Sequence, residues 1–236
     1  MNAAEARRSI PASQPSRLID LSHAIEHGMT TYPGLPSPII CDYLSREASR
    51  ARYAAGVEFQ IGKIEMVANT GTYLDAPFHR YPDKQDLSQL TLDSLVDLEA
   101  VVVRVPLDAS RAVSTATFRD VDVGGKAVLV HTGWDRHWRT DRYLSGHPFL
   151  TGDAAEYLTN EGAVLVGIDS LNIDDTDDLT RPVHSTLLAA DIPIVEHLCN
   201  LAGLPSRGFR FSAVPAKVVG MGSWPVRAFG HVLSAD

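Results

Sequence analysis

Between Asn69 and His79 the chain reads Asn-Thr-Gly-Thr-Tyr-Leu-Asp-Ala-Pro-Phe-His, which gathers an amide, a phenol, a carboxylate and an imidazole in one short stretch. Asn69, Tyr73, Asp75 and His79 all stand at odd-numbered positions, so extended backbone points them to one side. Oxygen and nitrogen donors on one side can hold a cation or move protons at a reacting group. The same residues also suit an Asx-type turn carrying a surface histidine. Further on, Glu196 ends the apolar run Ile192–Val195, and a carboxylate delivered into a core needs a cation or hydrogen-bond donors. His184 shares a helix face with Leu187 and Leu188, which equally fits a satisfied core histidine.

The elements that position these groups can be read from pattern. Gln60 to Ala68 alternates well enough to predict a strand leading into a rigid loop, with Gly71 and Pro77 as its punctuation. Arg17–Ser22 reads as a first strand, followed by a Pro-rich segment, Thr31 to Pro38. Leu90–Leu98 is a short amphipathic piece, and Ala100–Val105 and Lys126–His131 are strands, the second entered through Gly124-Gly125. Trp134 and Trp138 stand four apart, a spacing that puts both on one helix face, in the core or against a substrate. Thr151 caps a helix that ends at Gly162. Ala163–Ile168 reads as a strand buried on both faces and ends at Asp169-Ser170. Asp174–Asp178 lacks the glycine and distal glutamate of a calcium loop and is expected to be a solvated loop. Pro182 opens a helix at its first position. Phe209–Val214 and Pro225–Val232 are the last strands. Pattern alone predicts one domain of class α/β or α+β over residues 17–236, after a disordered Ala/Ser/Pro-rich leader, residues 1–16.

Composition excludes several classes of function. The chain has 236 residues, enough to bury a core, with 44% apolar and 21% charged residues. A net charge of −8 without a Lys/Arg cluster argues against nucleic acid or anionic membrane as partner. Cys41 and Cys199 show no metal or redox spacing and read as two reduced thiols. No signal-like or membrane-spanning apolar run occurs, so a cytoplasmic location is expected.

The motif stretch resembles the signature of the putative cyclase family, His-x-Gly-Thr-His-x-Asp-x-Pro-x-His, which includes bacterial kynurenine formamidases and isatin hydrolase. Gly71, Thr72, Asp75, Pro77 and His79 match in register, whereas Asn69 and Tyr73 replace the first two histidines. Arg17–Ser22 and the Tyr32-Pro-Gly segment resemble the family's opening, and His184 and Glu196 resemble its distal metal-binding pair. The resemblance spans roughly residues 17–232. It implies a single α/β domain with mixed, barrel-like β-sheets flanked by helices, of the swivelling β/β/α type.

It also implies chemistry. Family members use one or two divalent metals to generate hydroxide near neutral pH and to polarise a carbonyl. Carried over, Asp75, His184 and Glu196 are the surviving metal ligands, with Asn69 as an added carbonyl oxygen, and one zinc or manganese ion per chain is expected. His79 is the expected proton-transfer group, and Tyr73 is a candidate to hold an oxyanion. Tyr32, Phe78 and Trp134 are the expected substrate-contacting aromatics. The implied activity is hydrolysis of an amide or lactone in the manner of an arylformamidase, by a homodimer. A ring-forming cyclase with optional metal and a non-catalytic binding protein are the alternatives.

Overall fold

Runs of β-branched and apolar residues form short strands here, and the computed structural model, which describes residues 17–106 and 110–233, contains thirteen among those residues. In chain order they are β1 (Arg17–Asp20), β2 (Ile39–Leu44), β3 (Ile61–Glu65), β4 (Tyr73–Asp75), β5 (Leu98–Arg104), β6 (Ala112–Val113) and β7 (Ala127–His131). Then follow β8 (Phe149–Leu150), β9 (Leu165–Ile168), β10 (Ile194–Glu196), β11 (Phe209–Ser212), β12 (Ser223–Pro225) and β13 (Phe229–Val232). The α-helices are α1 (Arg46–Ser49), α2 (Gly152–Asn160) and α3 (Pro182–Ala189).

Nine strands make one curled sheet in the order β1-β13-β11-β5-β7-β9-β10-β4-β12. The central β5, β7, β9 and β10 are parallel, and antiparallel strands extend the sheet on both sides. Period-2 alternation sends the central side chains to two separate cores. Ala100, Val102, Ala127, Leu129 and Leu165 pack with Leu74, Val195, Phe209 and Phe211 on one face. Val101, Val103, Val128, Val130, Val166 and Ile168 pack against Ala154, Leu158, Val183 and Leu187 of α2 and α3. Because both faces are covered, the central strands read as continuous apolar runs. This is the single α/β domain with a mixed, barrel-like sheet that the family resemblance implies.

Several local expectations are corrected. The strand expected over 60–68 is only β3, which pairs with β2 in a separate two-stranded sheet. The strand that enters the large sheet is β4, the motif itself, which was expected to be a loop. Trp134–His137 is a 3-10 turn, and Trp138 leaves it with ψ 135°, so the two tryptophans share no α-helical face. Thr151 precedes α2, yet its side chain makes no cap bond; the hydroxyl donates to the Val113 carbonyl at 3.3 Å. The expected last strand divides into β12 and β13. The leader expected over 1–16 lies outside the described residues. Both cysteines are free thiols, Cys41 exposed and Cys199 buried. Among the described residues no helix is long and apolar enough to cross a membrane.

Candidate metal and acid–base site

The motif reaches its site as a short strand between two others. Gly71 turns the chain into β4 with φ +67°, a conformation that glycine adopts without steric cost. In β4, Tyr73 lies opposite Glu196 of β10, and Asp75 lies opposite Ser223 of β12. Leu74 and Val195, one residue out of phase, face the core that Phe209 and Phe211 share. Register therefore puts Tyr73, Asp75, Glu196 and Ser223 together on the other face. Beyond Asp75, Pro77–His79 forms a 3-10 turn that contacts α3. His79 is drawn against β12: a Cβ on Gly222 would stand 2.5 Å from the His79 Cα.

Helix α3 brings the second histidine. Asp174 accepts the backbone N–H groups of Val183 at 2.7 Å and His184 at 3.0 Å, satisfying donors of the first turn. The same carboxylate holds His184 Nδ1 at 2.6 Å. That bond turns His184 Nε2 toward Asp75 Oδ2 at 3.6 Å and Glu196 Oε1 at 3.7 Å. Asp174 was expected in a solvated loop but is fully buried. Only its acidic neighbours downstream reach solvent, so the run's composition disguised its first member.

Asp75 is also fully buried, and its two oxygens differ. Oδ1 accepts the Ser223 hydroxyl, whereas Oδ2 has no hydrogen-bond partner. Ser223 Oγ lies 2.9 Å from His79 Nδ1. A serine has one proton to give, and here it points to Asp75. His79 must then donate from Nδ1 to Ser223, which leaves its Nε2 lone pair free.

Charge in the cluster is balanced internally. Burial alone would raise the Asp75 carboxyl, but His79 and His184 beside it bring it below its ordinary range. Burial pushes Glu196 up to about 7 despite the opposing effect of His184. His184 loses by burial yet rises to about 10, because the carboxylates of Asp174, Asp75 and Glu196 surround it. Tyr73, buried and facing Glu196 and Asp75, is held well above its ordinary value and stays a phenol. Its hydroxyl donates to Glu196 Oε2, while Glu196 Oε1 accepts the Ile173 N–H at 2.6 Å.

A divalent cation fits these residues. The Asp75 oxygen without a donor and the His184 Nε2 fixed by a carboxylate behind its ring are the donors a metal site uses. Asp75, His79 and His184 each offer a ligand atom within 4.8 Å of the others. His79, expected for proton transfer alone, thus also stands within reach of a ligand set. Glu196 borders it through Oε1, with Oε2 engaged by Tyr73. Asn69 lines the same cavity as Tyr73.

The cavity has a volume of about 480 Å³ and runs from Glu196, His184 and His79 outward to Tyr32 and Leu35. Tyr32 stands in its wall. Phe78 and Trp134 do not line it. Phe78 sits in the 3-10 turn, its N–H donating to the Gln85 carbonyl. Trp134 packs with Tyr143 and Leu171 and donates its indole N–H to the Tyr143 carbonyl at 3.1 Å. Ser223, Asp174, Asn172, Arg80 and Arg181 are the site residues that sequence reasoning missed. Gly222 beside Ser223 was the available signal for the first, since a glycine at a strand's edge can mark close backbone approach.

Comparison with known proteins bears on the family and the fold. A family model described as putative cyclase matches residues 19–175. The kynurenine formamidase of Bacillus cytotoxicus is 27% identical over 213 residues, covering 90% of this chain and 96% of that protein. A kynurenine formamidase of Bacillus cereus is 26% identical with the same coverage. Among solved structures, an isatin hydrolase bound to the product analogue thioisatinate superposes with a TM-score of 0.80 at 19% identity, covering 93% of each chain. A potential metal-dependent hydrolase with cyclase activity gives a TM-score of 0.75 at 23% identity, covering 94% of this chain and 100% of that one.

Proposed function

The chain belongs to the putative cyclase family, and on that premise we propose that it is a metal-dependent hydrolase of an amide or lactone bond, arylformamidase-like in substrate. One observation carries the reading: the buried Asp75 Oδ2 without a donor, facing a His184 Nε2 that Asp174 has locked in place. The relatives named kynurenine formamidase support hydrolysis at an amide. Asp75 and His184 would hold one zinc or manganese ion, with Glu196 completing the set. Bound there, a divalent metal lowers the pKa of water toward neutrality and polarises a carbonyl.

The remaining work falls to the chain's own groups. His79 Nε2 takes a proton from the attacking water and returns it to the leaving nitrogen or oxygen. Ser223 and Asp75 hold its ring from behind, so that the imidazole neither rotates nor changes tautomer. Tyr73, while it donates to Glu196, has no proton left for an oxyanion, which favours hydrolysis over the ring-forming reaction. Its role is to fix Glu196 and favour its ionised form.

A homodimer in the cytoplasm completes the reading. The β2–β3 sheet packs little of itself away: Tyr43 is 74% exposed, and Ile39, Phe59, Ile61 and Ile64 also face solvent. An apolar patch of this kind suits a second copy of the chain. Elemental analysis of protein purified without chelator or His-tag, followed by assay on aryl N-formamides and isatin, tests the function. One metal per chain with hydrolysis is expected. Metal-free protein that gains no activity with added zinc or manganese would overturn it.

A further inference from the structure

Two arginines of this acidic chain stand at one cavity. Arg80 follows His79 directly, Arg181 precedes His184 by one helical turn, and both line the cavity with Tyr32, Leu35 and Leu179. Four arginines outside the cavity are matched with acids: Arg50 with Glu58, Arg111 with Asp175, Arg139 with Glu26, and Arg227 with Asp20. Neither Arg80 nor Arg181 forms an ion pair among the described residues. Both are nevertheless held. Arg181 donates one guanidinium nitrogen to the Asp175 carbonyl at 3.0 Å, which leaves its other donors free. The Arg80 guanidinium lies 5.2 Å from the Tyr81 ring centroid. The acid that lines the same cavity, Glu196, is already engaged by Tyr73 and by the Ile173 N–H.

We propose that Arg80 and Arg181 form a clamp for a substrate carboxylate, so that the compound hydrolysed carries a free carboxylate beyond the bond that is cut. The inference rests on the hydrolase reading for the words "bond that is cut"; the clamp itself rests on the arginines. A planar guanidinium presents paired donors that match a carboxylate, and two held in one cavity select for an anion. Tyr32, Leu35 and Leu179 offer apolar surface for the carbon skeleton between the carboxylate and the reacting carbonyl. One negative charge suits the cavity better than two, because Glu196 lies at its inner end.

Binding of 4-phenylbutyrate against its neutral analogue 4-phenylbutyramide tests the clamp by calorimetry on the full chain, metal-loaded and after chelation. The carboxylate is expected to bind roughly tenfold or more tightly, as charge-assisted hydrogen bonds provide. In Arg80→Met/Arg181→Asn that preference should fall to within about twofold; Asn tolerates the left-handed backbone of position 181, where φ is +49°. If the double variant folds poorly by circular dichroism, Arg80→Met alone, at an exposed position, must still cut the preference several-fold. A preference that survives the double substitution, or that disappears on chelation with both arginines intact, overturns the clamp. Carboxylate preference without hydrolysis of any amide or lactone would sink the proposed function and leave the clamp standing. Hydrolysis of neutral amides with no carboxylate preference would do the reverse.

Discussion

Two groups of imidazoles lie on either side of Tyr73, and they have opposite characters. On one side His79 and His184 meet Asp75, Asp174, Glu196 and Ser223 at the cavity. On the other, the Tyr73 ring lies 5.2 Å from His197, which packs among Tyr143 and Trp138, while His23 stacks on Trp138 at 3.9 Å. Burial is severe in both. It drives His197 down to about 3 and His23 to about 4, because aromatic neighbours return nothing for the lost water. His184, equally buried, is carried up to about 10 by its carboxylates. The protein thus uses the same side chain as a polar spacer in one place and as a cation or ligand in another. The neighbours decide, not depth. His197 bonds the Tyr143 hydroxyl through Nδ1 at 2.9 Å and sits at φ +55°, so its place is structural.

The sharpest way to break this contrast is Asp75→Asn. It removes the unpartnered anionic oxygen and the acceptor behind Ser223 together, and we expect bound metal and hydrolysis both to fall to background by elemental analysis and assay. A variant that retained stoichiometric metal would show that His79, His184 and Glu196 suffice without it.

Next in size is His79→Ala, with kcat reduced about 10²–10⁴-fold, the range for losing a general acid or base. Metal content separates its roles. Retained metal makes His79 a proton carrier alone, and lost metal makes it a ligand.

Asp174→Asn tests the orientation of His184. An amide cannot match the carboxylate that accepts Nδ1–H, and metal affinity should weaken about 10–100-fold, as for other groups behind a ligand. Competition against a fluorescent chelator measures it; unchanged affinity would mean that α3 alone aims the ring.

The smallest effect belongs to the aromatic side. His197 is held neutral at about 3 against an unfolded value near 6.5, so the unfolded chain binds the extra proton between those limits. Stability at this site is complete above the unfolded value and declines as pH falls from about 6.5 toward 3, by about 2 kcal/mol at pH 5. In His197→Asn, which suits the left-handed backbone, urea midpoints should depend less steeply on pH over that window. An undiminished slope would assign the acid sensitivity to another group, His23 first.

The chain's own pattern reached far into the fold. Ala163–Ile168 and Lys126–His131 are β-rich runs with no polar interruption, and only a strand covered on both faces can use them, as β9 and β7 do. Pro182 announced α3, since its missing N–H costs nothing at a first helical position. The spacing of Tyr73 and Asp75 announced a shared face. What sequence left undecided was every relation between distant segments. Ser223 is far from Asp75 in the chain and touches it only because β12 pairs with β4. Asp174 looked like one more solvated acid, and only the docking of α3 buries it against His184. The arginines beside His79 and His184 were likewise unremarkable until folding brought both to one cavity. Local periodicity encodes which face a residue takes, because backbone geometry repeats; which partner waits on that face is set by strand order and register, and those are properties of the assembled sheet alone.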